Sequence, residues 1–173
     1  AYPDGVITPA GQVTVKGTLN DQFSTDEYEG KLRIVTTVNE YVYKTKDIKV
    51  RDFNGDGVID DADKEIAYYR GASIVSSKES NSLYIYDEGL QLIGSIENLA
   101  ENEEIKSARL MGTVGYFVTF RQTDPLFSVD LSDPTAPKVL GELKIPGFSA
   151  YLHPYGEDLL LGIGYDADES TGW

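Results

Sequence analysis

SLYIYDEGLQLIGSI (residues 82–96) and PLFSVDLSDPTAPKVLGEL (residues 125–143) carry one pattern twice. SLYIYD at Ser82 matches PLFSVD at Pro125 at an offset of 43, and LIGSI at Leu92 matches VLGEL at Val139 at an offset of 47. Each piece has strand length, is rich in aromatic, β-branched and leucine residues, and is bounded by Asp, Gly or Pro. Farther out, GYFVTF at Gly115 and DLLLGI at Asp158 stand in equivalent places, again 43 apart. The same criteria predict strands over 31–38 (KLRIVTTV), 82–87, 90–96, 106–111, 115–121, 125–131, 138–144 and 158–163. One stretch reads as helix, ADKEIAYYR over 62–70, ending at Gly71, where a left-handed C-cap is expected. It is too short to organise a fold, so the class is mainly β.

A period in the forties with four short strands per unit is the pattern of β-propeller blades, small antiparallel sheets that bury their faces against one another. Helical repeats are excluded by the lack of helices, and a β-sandwich with chance likeness between strands is the alternative. Four or more blades close a ring, and at about 45 residues per blade this chain holds about two blades plus parts of neighbours. The reading over 1–173 is therefore a partial propeller with open sheet edges, which invite self-association or domain swapping.

The 173 residues suit one ordinary domain, and 40% apolar with 11% aromatic residues suffice for a core. With 29 acidic and 15 basic side chains the net charge is −14, which argues against nucleic acid or an anionic membrane as partner and favours cations. The absence of cysteine excludes disulfides, thiolate zinc sites and cysteine nucleophiles while leaving the compartment open. No apolar run approaches the roughly 20 residues of a membrane helix. Ala1, Tyr2, Pro3 and Asp4 do not open a signal peptide, so the chain reads as an excerpt whose targeting sequence lies elsewhere.

The runs NDQFSTDEYEGKLRIVTT (20–37), SLYIYDEGLQLIGSIENLAENEEIKSARLMG (82–112) and YFVTFRQTDPLFSVDLSDPTAPKVLGELKIPGFSAYLHPYGEDLLLGIG (116–164) resemble secreted bacterial and archaeal proteins with a C-terminal β-propeller distantly related to WD40 repeats. DPLF, DLSDP, IPGFS and YLHPY are the specific part of the likeness. The resemblance implies a propeller fold and an extracellular or cell-surface location, and it carries over no reaction. Where such proteins continue from the TT of Thr36 and Thr37 through a variable connection, this sequence has about forty extra residues, including the charged, tyrosine-rich 40–50. Residues 39–81 thus read as a blade insertion, projecting where loops can vary without disturbing the sheet.

Inside it lies DFNGDGVIDDAD (52–63), with the spacing of a twelve-residue calcium loop: Asp52, Asn54, Asp56, Val58, Asp60 and Asp63 at positions 1, 3, 5, 7, 9 and 12, and Gly57 at position 6. Ca²⁺ is a hard cation that takes six to eight oxygens, Val58 would give its carbonyl, and Gly57 permits the sharp turn. Ile59 at position 8 is expected to anchor the loop inward. Asp63 stands where glutamate is usual, as in the dockerin loops that DxNxDGxIDxxD resembles, and its shorter side chain weakens coordination. YVYKTKDIKV (41–50) alternates like a strand, so the unit reads strand, loop, helix and not as a paired EF-hand.

Other candidates are weaker. His153, the only histidine, has no visible nucleophile or orienting partner and reads as a packing residue. Asp124, Asp130 and Asp133 could be paired carboxylates for glycoside hydrolysis, but beside prolines and at strand ends they read as turn formers. DADES (166–170) lacks a glycine turn and reads as a solvated loop. Tyr41, Tyr43, Tyr68, Tyr69, Tyr84, Tyr86, Tyr151 and Tyr155 could line a sugar or peptide surface, and are better read as filling between blades. The functional expectation is a non-catalytic extracellular interaction or scaffold module with one structural calcium ion and an extracellular protein or polysaccharide as partner. The alternatives are a dockerin-like docking module of a larger assembly and a non-catalytic part of a secreted peptidase or carbohydrate-active enzyme.

Overall fold

The computed structural model describes residues 9, 11–120, 124–145, 147–156 and 159–165. A 3-10 turn, Gln22–Ser24, leads into β1 (Thr25–Tyr28) and β2 (Lys31–Thr45); α1 (Asp61–Gly71) follows, then β3 (Ala72–Tyr86) and β4 (Leu92–Leu99). Next come β5 (Glu104–Met111), β6 (Val114–Phe120), β7 (Asp124–Asp130), β8 (Lys138–Ile145), β9 (Phe148–Tyr155) and β10 (Leu159–Tyr165). They form a four-stranded sheet in the order β1-β2-β3-β4, a second in the order β5-β6-β7-β8, and the two-stranded β9-β10. Among the described residues the fold is mainly β, with two four-stranded antiparallel sheets of the kind that make propeller blades and the β9-β10 pair beside them.

The written repeat is a structural repeat. SLYIYD lies on the third strand of its sheet and PLFSVD on the third strand of the next, while LIGSI and VLGEL lie on the fourth strands. Even the irregularities recur. Ile85 pairs with Gly94 and Tyr86 with Leu92 across a bulge; 43 residues on, Ser128 pairs with Gly141 and Val129 with Val139 across another. The offset of 47 arises because the chain between Val129 and Val139 is four residues longer than that between Tyr86 and Leu92.

Strand alternation explains the continuous apolar runs. Val35, Leu83 and Ile85 point to one face of the first sheet, where they pack with Ile105, Ala108, Leu110, Phe117, Phe127, Val129 and Leu131 of the second. Their neighbours Ile34, Tyr84 and Tyr86 point to the opposite face and are covered by Val13, Val15 and Leu32. A strand buried on both faces has no polar side to alternate with. Between the sheets, the buried Arg33 pairs with Asp26, donates to the Gly112 carbonyl and lies 5.0 Å over the Tyr28 ring. Asn81, fully buried, accepts from Thr37 Oγ1 at 2.8 Å and donates to the Glu103 and Leu99 carbonyls at 2.8 and 3.2 Å.

Two strands escaped the sequence reading. β1 is only TDEY, and β9, FSAYLHPY, is interrupted by polar residues and a proline. The strands 31–38 and 82–87 are also extended, to Thr45 and back to Ala72. The chain divides into two compact units, Ala1–Val38 with Glu79–Trp173, and Asn39–Lys78. Within the second, the left-handed cap expected at Gly71 is absent: Gly71 is the last helical residue and Ala72 caps in an extended conformation. Its glycine answers to a close approach instead, since a Cβ there would lie 2.4 Å from the Lys46 carbonyl oxygen.

Candidate metal centre

Residues 52–63 sit within the Asn39–Lys78 unit and run into α1. Gly55 and Gly57 take φ values of 79° and 85°, the left-handed conformation that only glycine adopts cheaply, so the chain can wind at 55–57 as the spacing requires. The side chains of the loop bind its own amides. Asp52 accepts from Gly55 N at 2.6 Å and Gly57 N at 3.0 Å, Asn54 Oδ1 from Asp56 N at 3.1 Å, and Asp56 Oδ1 from Val58 N at 2.8 Å. Asn54 Nδ2 also donates to Asp56 Oδ2 at 2.9 Å.

Asp60 serves as N-cap of α1, accepting from Ala62 N at 2.9 Å, and Asp63 completes a capping box by accepting from Asp60 N at 3.2 Å. The other Asp63 oxygen accepts from Phe53 N at 2.6 Å, so position 12 closes the loop onto position 2. Asp63 is fully buried, with Ala67 and Gly71 on the same helix face. The Phe53 amide holds its carboxyl below the usual aspartate range against the opposing effect of burial, and the Asp60 and Asn54 amides act in the same direction.

Ile59 departs from expectation. It is 62% exposed and its neighbour Val58 58%, so position 8 does not anchor the loop. The buried positions of α1 are Asp63, Ala67 and Gly71, small or polar groups that form no apolar receptacle. In donor chemistry the loop suits a hard cation: Asp52, Asn54, Asp56, Asp60 and Asp63 carry oxygen, and Val58 offers a carbonyl. In placement, the carboxylates lie on the loop's amides, and among the described residues no three Asp, Glu, His or Cys side chains are gathered as a metal-ligating group. Coordination would require Asp52, Asp56 and Asp60 to exchange amide bonds for the ion.

The other candidates fall in different places. Asp130 accepts from Ser132 N at 2.9 Å, and Asp133 from Thr135 N at 2.9 Å and its hydroxyl at 2.7 Å, so both form turns. The hydroxyls of Ser132 and Thr135, then their amides, hold the two carboxyls below the usual aspartate range. Asp124 lies on β7, and its side chain lies outside the described residues, as does 166–170. Tyr84 and Tyr86 are buried in the core, whereas Tyr41, Tyr43, Tyr68, Tyr69 and Tyr155 are exposed. His153 is exposed on β9, its Nδ1 3.0 Å from Tyr151 Oη.

Two arrangements had no signal in the linear pattern. Arg109 on β5 stacks 4.1 Å from the Phe23 ring and 5.3 Å from Tyr151, donating Nε to the Leu152 carbonyl at 2.9 Å. Beside the loop, a cavity of about 360 Å³ is lined by Ile48, Lys49, Arg51, Phe53 and Arg70. Both gather residues from separate elements, which spacing along the chain does not reveal.

A family model described as Beta propeller domain matches residues 1–173. The chain is 38% identical over 154 residues to an uncharacterized protein of Methanocaldococcus jannaschii, covering 89% of this chain and 20% of that protein. It is 39% identical over 154 residues to an uncharacterized protein of Archaeoglobus fulgidus, covering 89% of this chain and 19% of that one. The chain therefore spans about a fifth of the length of these curated relatives. No solved structure matches.

Proposed function

The chain belongs to the Beta propeller domain family, and from that premise we propose that it is a non-catalytic interaction and scaffold module working outside the cell, with one structural Ca²⁺ in its Asn39–Lys78 unit. Asp52, Asn54, Asp56, Asp60, Asp63 and the Val58 carbonyl are the ligands. The observation that carries the reading is the closure of the loop by Asp63: a carboxylate shielded from water, fixed by two amides, with four further oxygen-bearing side chains within eleven residues of it. Such a group is costly unless hydrogen-bonded or paired with a cation. The ion, when bound, supplies charge neutralisation among the aspartates and nothing reactive. Asp52, Asp56 and Asp60 set the winding of the loop, and Asp63 joins that winding to α1.

The non-catalytic reading rests on how the candidate groups are occupied. His153 faces a tyrosine hydroxyl, and Asp130 and Asp133 are held by their own turns. The partner is a protein or polysaccharide, or a second copy: Leu159, Leu161, Ile163 and Tyr165 of β10 are exposed, as are Val139, Leu140 and Leu143 of β8. Sheet faces of that kind are where a partner docks.

Calorimetric titration of the chain with Ca²⁺, with melting curves in calcium and in chelator, tests the site. Binding at one equivalent is expected, with stabilisation of about 2.7 kcal/mol at a hundredfold excess over Kd, both lost in Asp56→Ala. No heat of binding together with superimposable melting curves refutes the calcium reading.

A further inference from the structure

The cavity beside the loop differs in sign from the rest of the chain. Its lining offers Lys49, Arg51 and Arg70 and no acid, in a protein of net charge −14. The Arg51 guanidinium lies 5.1 Å from the Phe53 ring centroid and that of Arg70 4.6 Å. Among the described residues none of these three cations makes an ion pair. Stacking on an aromatic ring engages the face of a guanidinium and leaves its N–H edge for an oxyanion. Three like charges around one small space are mutually repulsive, and Phe53 offsets only part of that repulsion.

We propose that this cavity binds a tetrahedral oxyanion of about two negative charges, a phosphate or sulfate, either free or as the charged group of a small solute. Arg51 and Arg70 supply paired N–H donors, which match the spacing of oxyanion oxygens, and Lys49 supplies a point charge. Ile48 and Phe53 form the apolar part of the wall. The size, about 360 Å³, suits a ligand no larger than a monosaccharide. The competing account is that the three cations are counter-charges for the aspartates of residues 52–63, with no ligand of their own. The proposal does not depend on the calcium reading, because its test runs without calcium.

The experiment is an amide chemical-shift titration of the whole chain with inorganic phosphate, inorganic sulfate and phosphoserine, in chelating-resin-treated buffer at low chloride, with acetate as the singly charged control. Saturable shifts confined to residues 48–53 and 70 are expected for the doubly charged anions, with acetate at least tenfold weaker. Arg51→Gln/Arg70→Gln should lower phosphate affinity at least tenfold and Lys49→Gln at least threefold, with Lys16→Gln, in the other unit, unchanged. Phosphoserine binding tenfold tighter than phosphate identifies an esterified ligand, and equal or weaker binding the free ion. Should the double variant lose its circular dichroism, Lys49→Gln decides, since Lys49 is not stacked on Phe53. Non-saturable shifts spread over the chain, or a phosphate affinity that none of these substitutions alters, overturn the proposal. No phosphate or sulfate binding here, with a separate calcium titration in which Arg51→Gln/Arg70→Gln alters the affinity, overturns the proposal in favour of the counter-charge account.

Discussion

Gly94 and Gly141 occupy the same place in successive sheets, each just past a bulge on the fourth strand, yet they should respond to alanine in opposite ways. A Cβ on Gly94 would lie 2.1 Å from the Pro134 carbonyl oxygen and 3.1 Å from Pro137 Cδ, because the β7–β8 turn of the second sheet presses on β4 of the first. The obstructing atom is backbone, so either the turn or β4 must shift. Overpacking of this kind costs about 1–3 kcal/mol. A Cβ on Gly141 meets nothing within 4 Å. Neither glycine has the left-handed backbone that would penalise a side chain, so Gly141→Ala should be neutral or gain about 0.4–1 kcal/mol from the unfolded chain's lost entropy. For a chain of this length, 1 kcal/mol moves Tm by about 2–4 °C. Gly94→Ala should therefore melt about 2–12 °C lower than the wild type, and Gly141→Ala at or slightly above it. Urea denaturation at constant m-value checks that the native state, not its compactness, has changed. Equal shifts in the two variants, or a stabilised Gly94→Ala, would refute the packing of consecutive blades through this contact.

Three further outcomes follow from other contacts. Asn81→Ala removes the acceptor of the buried Thr37 hydroxyl, which keeps only the Ile105 amide, and the donor to the half-buried carbonyls of Leu99 and Glu103; with a buried unsatisfied group costing about 1–3 kcal/mol and the carbonyls rewetted, a loss of about 3 kcal/mol is expected in urea denaturation. Asp133 has a folded pKa below its unfolded value near 4, so its contribution is present above that value and fades as pH falls through the folded pKa; melting curves from pH 5 to 2 should converge for wild type and Asp133→Asn, and parallel curves would contradict the assignment. Screening against glycoside, ester and peptide substrates should stay at background, and a turnover abolished by His153→Ala would overturn the non-catalytic reading.

The fold was legible where sequence and burial share a period. The run at 82–86 is buried on both faces because Leu83 and Ile85 enter one interface while Tyr84 and Tyr86 enter another, and such a run announces itself without alternation; 125–130 alternates instead, with Phe127 and Val129 in the core and Ser128 and Asp130 half-buried on the other face. β1 did not, since TDEY holds its place through pairing with Lys31 to Ile34 and through the Asp26–Arg33 contact, not through apolar content. β9 was hidden for a similar reason: its only fully apolar buried side chain among the described residues is Leu152, with Ser149 buried by a carbonyl contact to Ser107.

The loop was legible because its chemistry is local. Every hydrogen bond that winds residues 52–63 joins residues no more than ten apart, so spacing alone placed the sharp turn at Gly57, whose φ is 85°, while the carboxylates rest on nearby amides and are not gathered about one point. Spacing could not predict Ile59, whose exposure depends on what α1 presents, nor Gly71, whose lack of a side chain answers to the Lys46 carbonyl 25 residues earlier. The cavity lies beyond the same horizon. Lys49 and Arg51 precede the loop while Arg70 lies in the last turn of the helix after it, and two arginines 19 positions apart come to stack on one ring because the loop holds Phe53 and Asp63 ties the Phe53 amide to the helix. The aspartate that closes the acidic loop thereby also holds Phe53, part of the wall of the basic cavity, so in an Asp63→Ala chain the amide signals of residues 48–53 and 70 should broaden together with those of the loop, and unchanged signals at 48–53 would show that Phe53 is held without it.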